Sequence, residues 1–497
     1  MLLSLAILFL SSPNVLAKTA DWKITQAVET RLQKHGSADV IFLLREKANL
    51  AAASQEQKRE MRIRLVYDEL RKVAKQSQAS FLARLENENI PYRSFYLINA
   101  VAVEGINAEQ AQALADQEEI ASVELDFSAN LQLPESEKSF LPLESLFSVP
   151  DHLKLIGVDK AWQDGNQGFG IVIAGQDSGY RWDHPALKTQ YRGNSGFLVQ
   201  HDYHWHDAIR GKIGSTNGSC GYSTRVPCDD SGHGTHTMGT MVGFEWATKT
   251  NSIGVAPQAK WIGCRNMDKG VGRASTYLEC FEFFLAPYPY GGNPQVDGNP
   301  AMAPHIINNS WACPSTEGCT GGEFVQAIDA LQAAGILVVA SAGNDGPGCA
   351  SVGDAPGSYS GKIFSVAASD HRNGEIAYFS SRGPSKFNGG LGPNITAPGN
   401  NIRSAVPSGG LGDGGLYDYK SGTSMSGPHI AGVVALLWSA KPELIGKILE
   451  TIRHLEKTAT PKTSSQSCGK FSGNQIPNAV FGYGVVDAYR AINTAVQ

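Results

Sequence analysis

Three short stretches of this chain combine a chemically capable side chain with glycines that let backbone come close. Asp177 stands in GQDSGY, directly after an apolar run. His233 stands in DDSGHGTHTMGTM, and Ser424 in SGTSMSGPHIAGVVALLW, at the head of an apolar, helix-compatible run. Each has an ordinary structural reading by itself. An Asp leaving a strand forms turns or caps helices. A Ser at a Gly-rich turn is a favoured N-cap, and Pro428 suits the first turn of a helix. His233 and His236 lack the intervening Glu of a zinc-binding helix, and GTSMSGPH lacks the Lys of a phosphate loop. Together the three residues carry a sharper expectation. A serine hydroxyl is a weak nucleophile until a base takes its proton, and an imidazole base needs a carboxylate to fix its tautomer. Asp177, His233 and Ser424 supply all three parts.

The surrounding pattern predicts what positions them. Short β-branched runs at 170–175, 261–265, 305–310, 336–341 and 363–368 alternate with amphipathic stretches such as 323–334 and the one after Ser424. Buried strands alternating with helices imply an α/β fold, a doubly wound, mostly parallel sheet with helices on both faces. Chemistry in such sheets sits outside the carboxyl ends of the strands. Composition narrows the class further. The 497 residues hold 42 Lys+Arg and 47 Asp+Glu, a net charge of −5, with only 18% charged residues and 54 glycines. That balance excludes a disordered solvating chain and a polycationic nucleic-acid binder. No apolar run reaches the ~20 residues of a membrane-spanning helix, so neither nucleic acid nor membrane is an expected partner.

The chain divides by composition. Residues 1–17 have the apolar stretch and Val15-Leu16-Ala17 ending of a secretory signal. Residues 18–130 are about 28% charged, against about 16% for 131–497. The leading region reads as a strand at 38–44, a long helix at 55–89 with Met61, Leu65, Leu70, Val73, Phe81 and Leu85 near helical spacing, strands at 92–98 and 101–106, a helix at 108–116 and a strand at 120–127. That β-α-β-β-α-β order predicts a ferredoxin-like α+β domain. Residues 131–150, with Pro134 and Pro150, read as an exposed linker open to cutting. Residues 151–497 form the second domain. All eight cysteines lie in it, an even number that suits bridges in an exported chain. Cys220/Cys228 and Cys313/Cys319 are near enough to staple loops; pairing of Cys264, Cys280, Cys349 and Cys468 stays open. No CxxC or zinc-ligand spacing accompanies them, so no metal is assigned.

The stretches GQDSGY, GHGTHTMGTM and GTSMSGPHIAG resemble the subtilisin-like serine proteases, the subtilases, which share the order Asp, His, Ser. GQDSGY, WIGCRNMD and IINNSWACP are similar to the bacillopeptidase F-like branch, and the resemblance runs over about 150–495 to GYGVVDAYRAI. It implies a serine endopeptidase acting on proteins or peptides, and an oxyanion-hole asparagine, here Asn344 after VVASAG. The leading domain resembles the inhibitor-type propeptide of such enzymes, an intramolecular inhibitor of a self-processing zymogen. The resemblance further implies that Ser310, Trp311 and Ala312 pair with an extended substrate, and that Ser341, Ala342, Gly343 and Gly353 line the pocket for the residue before the cut. A glycine base suggests a large apolar or aromatic side chain there, and no Asp/Glu cluster is evidently placed to receive Arg or Lys. Many members of that family bind calcium in an insertion within the helix after their catalytic His, but the matching stretch here, MVGFEWATKTNSIGVAP, offers no evident ligand set. The chemistry needs no cofactor; a structural calcium stays unassigned to any residue. A secreted monomer is expected. A non-catalytic binding protein on the same scaffold would need one of Asp177, His233 and Ser424 replaced, and none is; an enzyme that passes its acyl group to an amine is the remaining rival, with water the default acceptor.

Overall fold

The computed structural model describes residues 23–137 and 146–496, apart from 215, 315, 316, 318, 320, 321, 323, 411 and 412. The expected signal at 1–17 lies outside the described residues, as do 138–145 of the expected linker.

The leading unit runs α1 (Gln26–His35), β1 (Ala38–Leu44), α2 (Ala51–Gln55), α3 (Arg59–Ser77), α4 (Ala79–Asn87), β2 (Tyr92–Phe95), β3 (Ala100–Ile106), α5 (Ala108–Ala115) and β4 (Ile120–Leu125). Its four strands form one antiparallel sheet in the order β2-β3-β1-β4. The single helix expected at 55–89 is broken at Gln78, whose side chain turns inward and donates to Phe95 O (3.0 Å) and Asn99 Oδ1 (2.9 Å). The buried face of α3 also differs from the expected one. Met61 and Leu65 are exposed, while Ile63, Val66, Tyr67 and Leu70 are buried. The reason is tertiary, because α3 lies against the second half of the chain. Arg59 donates to Ala303 O and Pro304 O, and Arg62 to Gln332 O, Ala333 O and Gly446 O.

After the leading unit, β5 (Ser128–Asn130) leaves that sheet and α6 (Asp151–Leu155) and α7 (Val158–Gln163) follow the linker. The second unit then contributes β6 (Val172–Asp177), β7 (Trp205–Asp207), β8 (Lys260–Arg265), β9 (Met267–Asp268), β10 (Val271–Arg273), β11 (Ile306–Asn309), β12 (Leu337–Ser341), β13 (Phe364–Asp370) and β14 (Ile395–Asn400). Seven of these make a parallel sheet in the order β14-β13-β12-β11-β6-β8-β7. Its major helices are α8 (His233–Val242), α9 (Ala274–Leu285), α10 (Val325–Ala333) and α11 (Thr423–Ala440). Side chains alternate across a strand. Ile173, Trp261, Ile306 and Leu337 accordingly join one core with α8 and α11, and Ala174, Ile262, Ile307 and Val338 join the opposite core with α9 and α10. The five expected strands are present. Strands β7 and β14 were not anticipated: Trp205-His206-Asp207 is short and polar, and β14 contains Pro398 and Gly399. Helix α9 was missed for the opposite reason, since all twelve of its residues are buried and no polar face marks a helical period.

Four disulfides join Cys220–Cys228, Cys264–Cys280, Cys313–Cys319 and Cys349–Cys468. The second ties β8 to α9 and the fourth spans 119 positions. At the end of β8 the fully buried Arg265 guanidinium meets Asp230 (2.7 Å), Asp268 (2.8 Å) and Asp207 (3.3 Å), and donates to Gly221 O. Removing one member of a buried ion cluster strands the others in low dielectric. Arg265→Ala is therefore expected to destabilise the protein by about 3–5 kcal/mol, read as a lowered denaturant midpoint; a change below about 1 kcal/mol contradicts that role.

Candidate active site

Asp177 is the last residue of β6, at the carboxyl edge of the sheet, and His233 is the first residue of α8. Gly234 lets that helix start directly against the turn after β6. A Cβ there would stand 2.1 Å from Gly179 O and 3.0 Å from the Asp177 Cβ. The result is a hydrogen bond of 2.7 Å from His233 Nδ1–H to Asp177 Oδ1, with the two side chains 0% and 1% exposed. The acceptor fixes the proton on Nδ1. Asp177 Oδ1 also accepts from Ser178 N (2.7 Å), and Oδ2 from Thr237 Oγ1 (3.3 Å). His233 Nε2 is buried without a hydrogen-bond partner among the described residues. His236, the other member of the Gly-flanked pair, faces elsewhere: its Nε2 meets Ile402 O at 3.0 Å, and burial holds its pKa well below the usual imidazole value.

Ser424 lies in the first turn of α11, where backbone N–H groups have no intrahelical acceptor. It is 3% exposed, and its Oγ donates to Ser310 O at 2.9 Å rather than to His233. Ser310 Oγ in turn donates to Ser424 O at 2.9 Å, which locks the end of β11 to the start of α11. Asn344 follows β12. Its Oδ1 accepts from Thr423 N (2.9 Å) and Thr423 Oγ1 (3.0 Å), so its Nδ2 faces the opening beside Ser424. There it donates to the carbonyl of Gln132 at 3.4 Å. The α11 N-terminus, with the positive end of its dipole, points at the same place.

A cavity of about 370 Å³ opens here, bounded by Ser424, Thr423, Asn344, Gly343, Ser341, Trp311 and Ala312, and by residues 130–134 of the chain itself. Of the residues expected to bind substrate, Trp311, Ala312, Ser341 and Gly343 stand in the cavity wall. Among the described residues, the extended 128–131 segment takes its backbone bonds from another strand. Strand β5 pairs antiparallel with β10, Asn130 opposite Val271 and Ser128 opposite Arg273, and Leu131 N donates to Gly270 O at 2.8 Å. Trp311 is instead stacked on Tyr277, rings 3.9 Å apart. Ala342 and Gly353 are not in the cavity wall: Ala342 N bonds Val366 O at 3.0 Å, and Gly353 faces the Lys386 side chain. The pocket is also not purely apolar. Asp345 and Asp354 both line it, and burial followed by the neighbouring Asp345 charge pushes the Asp354 carboxyl up to about 6. These two carboxylates are nine positions apart in different turns, so no local spacing announced them. In the stretch after His233, the carboxylate of Glu245 accepts from Thr248, Thr250, Asn251 and the Tyr417 hydroxyl, so its oxygens are held by protein donors.

A further acidic residue was overlooked. Asp229 Oδ1 accepts from Ser178 Oγ (2.9 Å), Ser231 N (3.1 Å) and Gly232 N (2.8 Å), and Oδ2 from Thr235 N (3.0 Å) and Thr235 Oγ1 (2.6 Å). One carboxylate thus caps α8 and ties the His233 turn to the residue after Asp177. The signal was an Asp shortly before a helix start, a cap by type, though its reach to Ser178 is tertiary.

The subtilase family model matches residues 168–484. The chain belongs to the subtilase family. This subtilase is 34% identical to bacillopeptidase F of Bacillus subtilis (strain 168) over 476 residues, which is 90% of this chain and 29% of that protein. It is 29% identical over 326 residues to subtilisin Savinase of Lederbergia lenta, 65% of this chain and 95% of that one. It is 30% identical over 283 residues to the serine protease AprX of Bacillus subtilis (strain 168), 54% of this chain and 59% of that one. Among the described residues no helix is long and apolar enough to cross a membrane.

Asp229→Ala is expected to cost about 1–2 kcal/mol, the usual loss of a strong helix cap. A denaturant midpoint equal to that of the unsubstituted protein contradicts the capping role.

Proposed function

We propose that this subtilase is a secreted serine endopeptidase made as a self-processing zymogen. The observation that carries the reading is the buried Asp177–His233 bond, with Nε2 of the same ring left for a substrate-side proton and the Asn344 amide turned to the opening beside Ser424. In the proposed reaction Ser424 Oγ leaves Ser310 O and attacks a peptide carbonyl. His233 Nε2 takes the serine proton, and Asp177 holds the ring and offsets the charge it gains. Asn344 Nδ2 and the Ser424 N–H stabilise the oxygen that becomes negative, without reorganising as the charge develops. His233 then protonates the leaving amine, and water releases the acyl group. Protein or peptide substrates lie along Gly270–Arg273 in the manner of β5. No cofactor takes part.

Residues 18–130 act as the ferredoxin-like propeptide, an intramolecular inhibitor, with cutting inside the 131–150 linker. The interface supports this. The α9 residue Glu282 accepts Tyr96 N (2.8 Å) and Leu97 N (3.1 Å), while the leading unit's Asp126 accepts Ser275 N (2.8 Å) and Ser275 Oγ (2.6 Å) at the other end of α9. Arg93–Glu279 and Arg273–Asp39 add ion pairs across the seam.

Ser424→Ala is expected to yield an uncut chain without peptidase activity; a variant that matures when purified alone contradicts self-processing. Asn344→Ala is expected to lower kcat by about 10²–10³ on a peptide substrate; unchanged turnover removes Asn344 from the site. Burial pushes the Glu282 carboxyl up to about 8 in the docked state despite its two amide donors. Its neighbour Glu279 is held far lower by His206, Arg210 and Arg93, and so does not titrate near neutrality. Undocking returns Glu282 to water and to the ordinary carboxylate range. Its contribution to docking is thus full below that range and is lost as pH rises through about 8. The cut leading unit should accordingly bind its enzyme roughly tenfold or more weakly at pH 8 than at pH 6, measured by inhibition of peptidase activity. Glu282→Gln should flatten that dependence, and tighter inhibition at pH 8 contradicts it.

A further inference from the structure

The proposed chemistry leaves open which bond the enzyme cuts in its own chain. The geometry points to one: we propose that the first cut falls between Gln132 and Leu133, made within the same molecule. This inference rests on the reading of Ser424 as the nucleophile and adds the identity of the bond.

Residues 127–137 are held on both sides of that bond. On the side before the bond, Phe127 O accepts from Ala274 N (3.2 Å), β5 pairs with β10, and Leu131 N donates to Gly270 O (2.8 Å). Glu317 holds Asn130 through its backbone N–H (2.9 Å) and its side-chain amide (3.1 Å). This ladder ends one residue before Gln132, whose carbonyl oxygen is the acceptor of the Asn344 amide. A carbonyl that receives the oxyanion-hole donor is the one whose oxygen becomes negative on attack. On the far side, Leu133 and Pro134 pass over Gly422, two residues before Ser424. A Cβ at Gly422 would meet Leu133 Cδ2 at 3.4 Å and Pro134 Cδ at 3.6 Å. Beyond them Ser136 Oγ donates to Ser421 Oγ (3.1 Å) and Glu137 pairs with Arg372 (2.6 Å). The chain is therefore anchored on both sides of one peptide bond, and that bond lies over the α11 start. Among the described residues, the Asn344 amide donates to the Gln132 carbonyl and to no later carbonyl of the linker.

Holding both reactants in one molecule replaces a bimolecular encounter by a positioned one. The steps balance. Ser424 Oγ bonds to the Gln132 carbonyl carbon, and its proton moves to His233 Nε2. The C–N bond to Leu133 breaks as that proton passes to the Leu133 nitrogen, giving a new amino terminus. Water then adds to the acyl carbon, leaves its proton on His233, and the Ser424 oxygen departs and recovers that proton. Gln132 ends as a carboxylate still docked through β5, which explains how cutting and release are separate events.

The test is a time course of the full-length chain by intact mass and amino-terminal sequencing, run beside Ser424→Ala. The expected first pair of products ends at Gln132 and begins at Leu133, with none from Ser424→Ala. A first cut at any other bond, or an uncut wild-type chain that still hydrolyses a peptide substrate, overturns this inference and leaves the proposed peptidase chemistry standing. A Leu133 terminus that also forms in purified Ser424→Ala overturns the self-cutting mechanism itself. Gln132→Pro, with the ladder up to Leu131 retained, is a second check: the first cut should slow at least tenfold or move, while activity of the matured enzyme on a peptide substrate is unchanged. Cutting at the same bond and rate contradicts the assignment.

Discussion

The hydrogen bond between Asp177 and His233 is the interaction on which the rest of the molecule depends. It is made where water is absent, so neither partner can be satisfied by solvent if the other moves. That requirement explains much of the local sequence. Strand β6 must end with its carboxylate at the sheet edge, α8 must begin against the following turn, and only glycine at 234 leaves room for the approach. Asp229 then spends one carboxylate on tying both sides of the bond together. The α11 start is fixed separately, through reciprocal bonds between Ser310 and Ser424. In the uncut chain Ser424 Oγ donates to Ser310 O and not to His233.

The second unit's sheet was legible because its strands are buried on both faces and read as apolar runs. What lay hidden was set by tertiary packing. Helix α9 has no polar face because its far side is covered by the leading unit, with Tyr96 and Leu97 on Glu282. The same docking rotates the buried stripe of α3 away from Met61 and Leu65. Strand β10, which carries the extended segment, is three residues long and holds a glycine, so no periodicity announces it. In the site, Asp177, His233 and Ser424 stood out by residue type and glycine context, while Asn344, in a stretch that reads locally as a plain turn, was singled out only by the resemblance to the subtilases. Asp345 and Asp354 were not, because they meet only through two separate turns around the cavity.

The seam between the units uses one helix from both ends. Asp126 of the leading unit accepts from the α9 start, and Glu282 near the α9 end accepts from the leading unit. Each group is buried, and each has these protein partners only while the units stay docked. Burial raises the pKa of both carboxyls, so the seam stores a dependence on protons as well as on shape. The continuous apolar core, in which Ile63, Val66 and Tyr67 join Phe283 and Leu285, gives the docked state its mass of buried surface.

The most direct test of the account is the turnover of matured Asp177→Asn on a peptide substrate. An amide at 177 can keep the ring near its place but cannot hold the proton on Nδ1 or offset the imidazolium. The account predicts a loss in kcat on the order of 10⁴ with KM little changed. A kcat within about tenfold of the unsubstituted enzyme would contradict it, because the buried carboxylate would then have no part in the reaction.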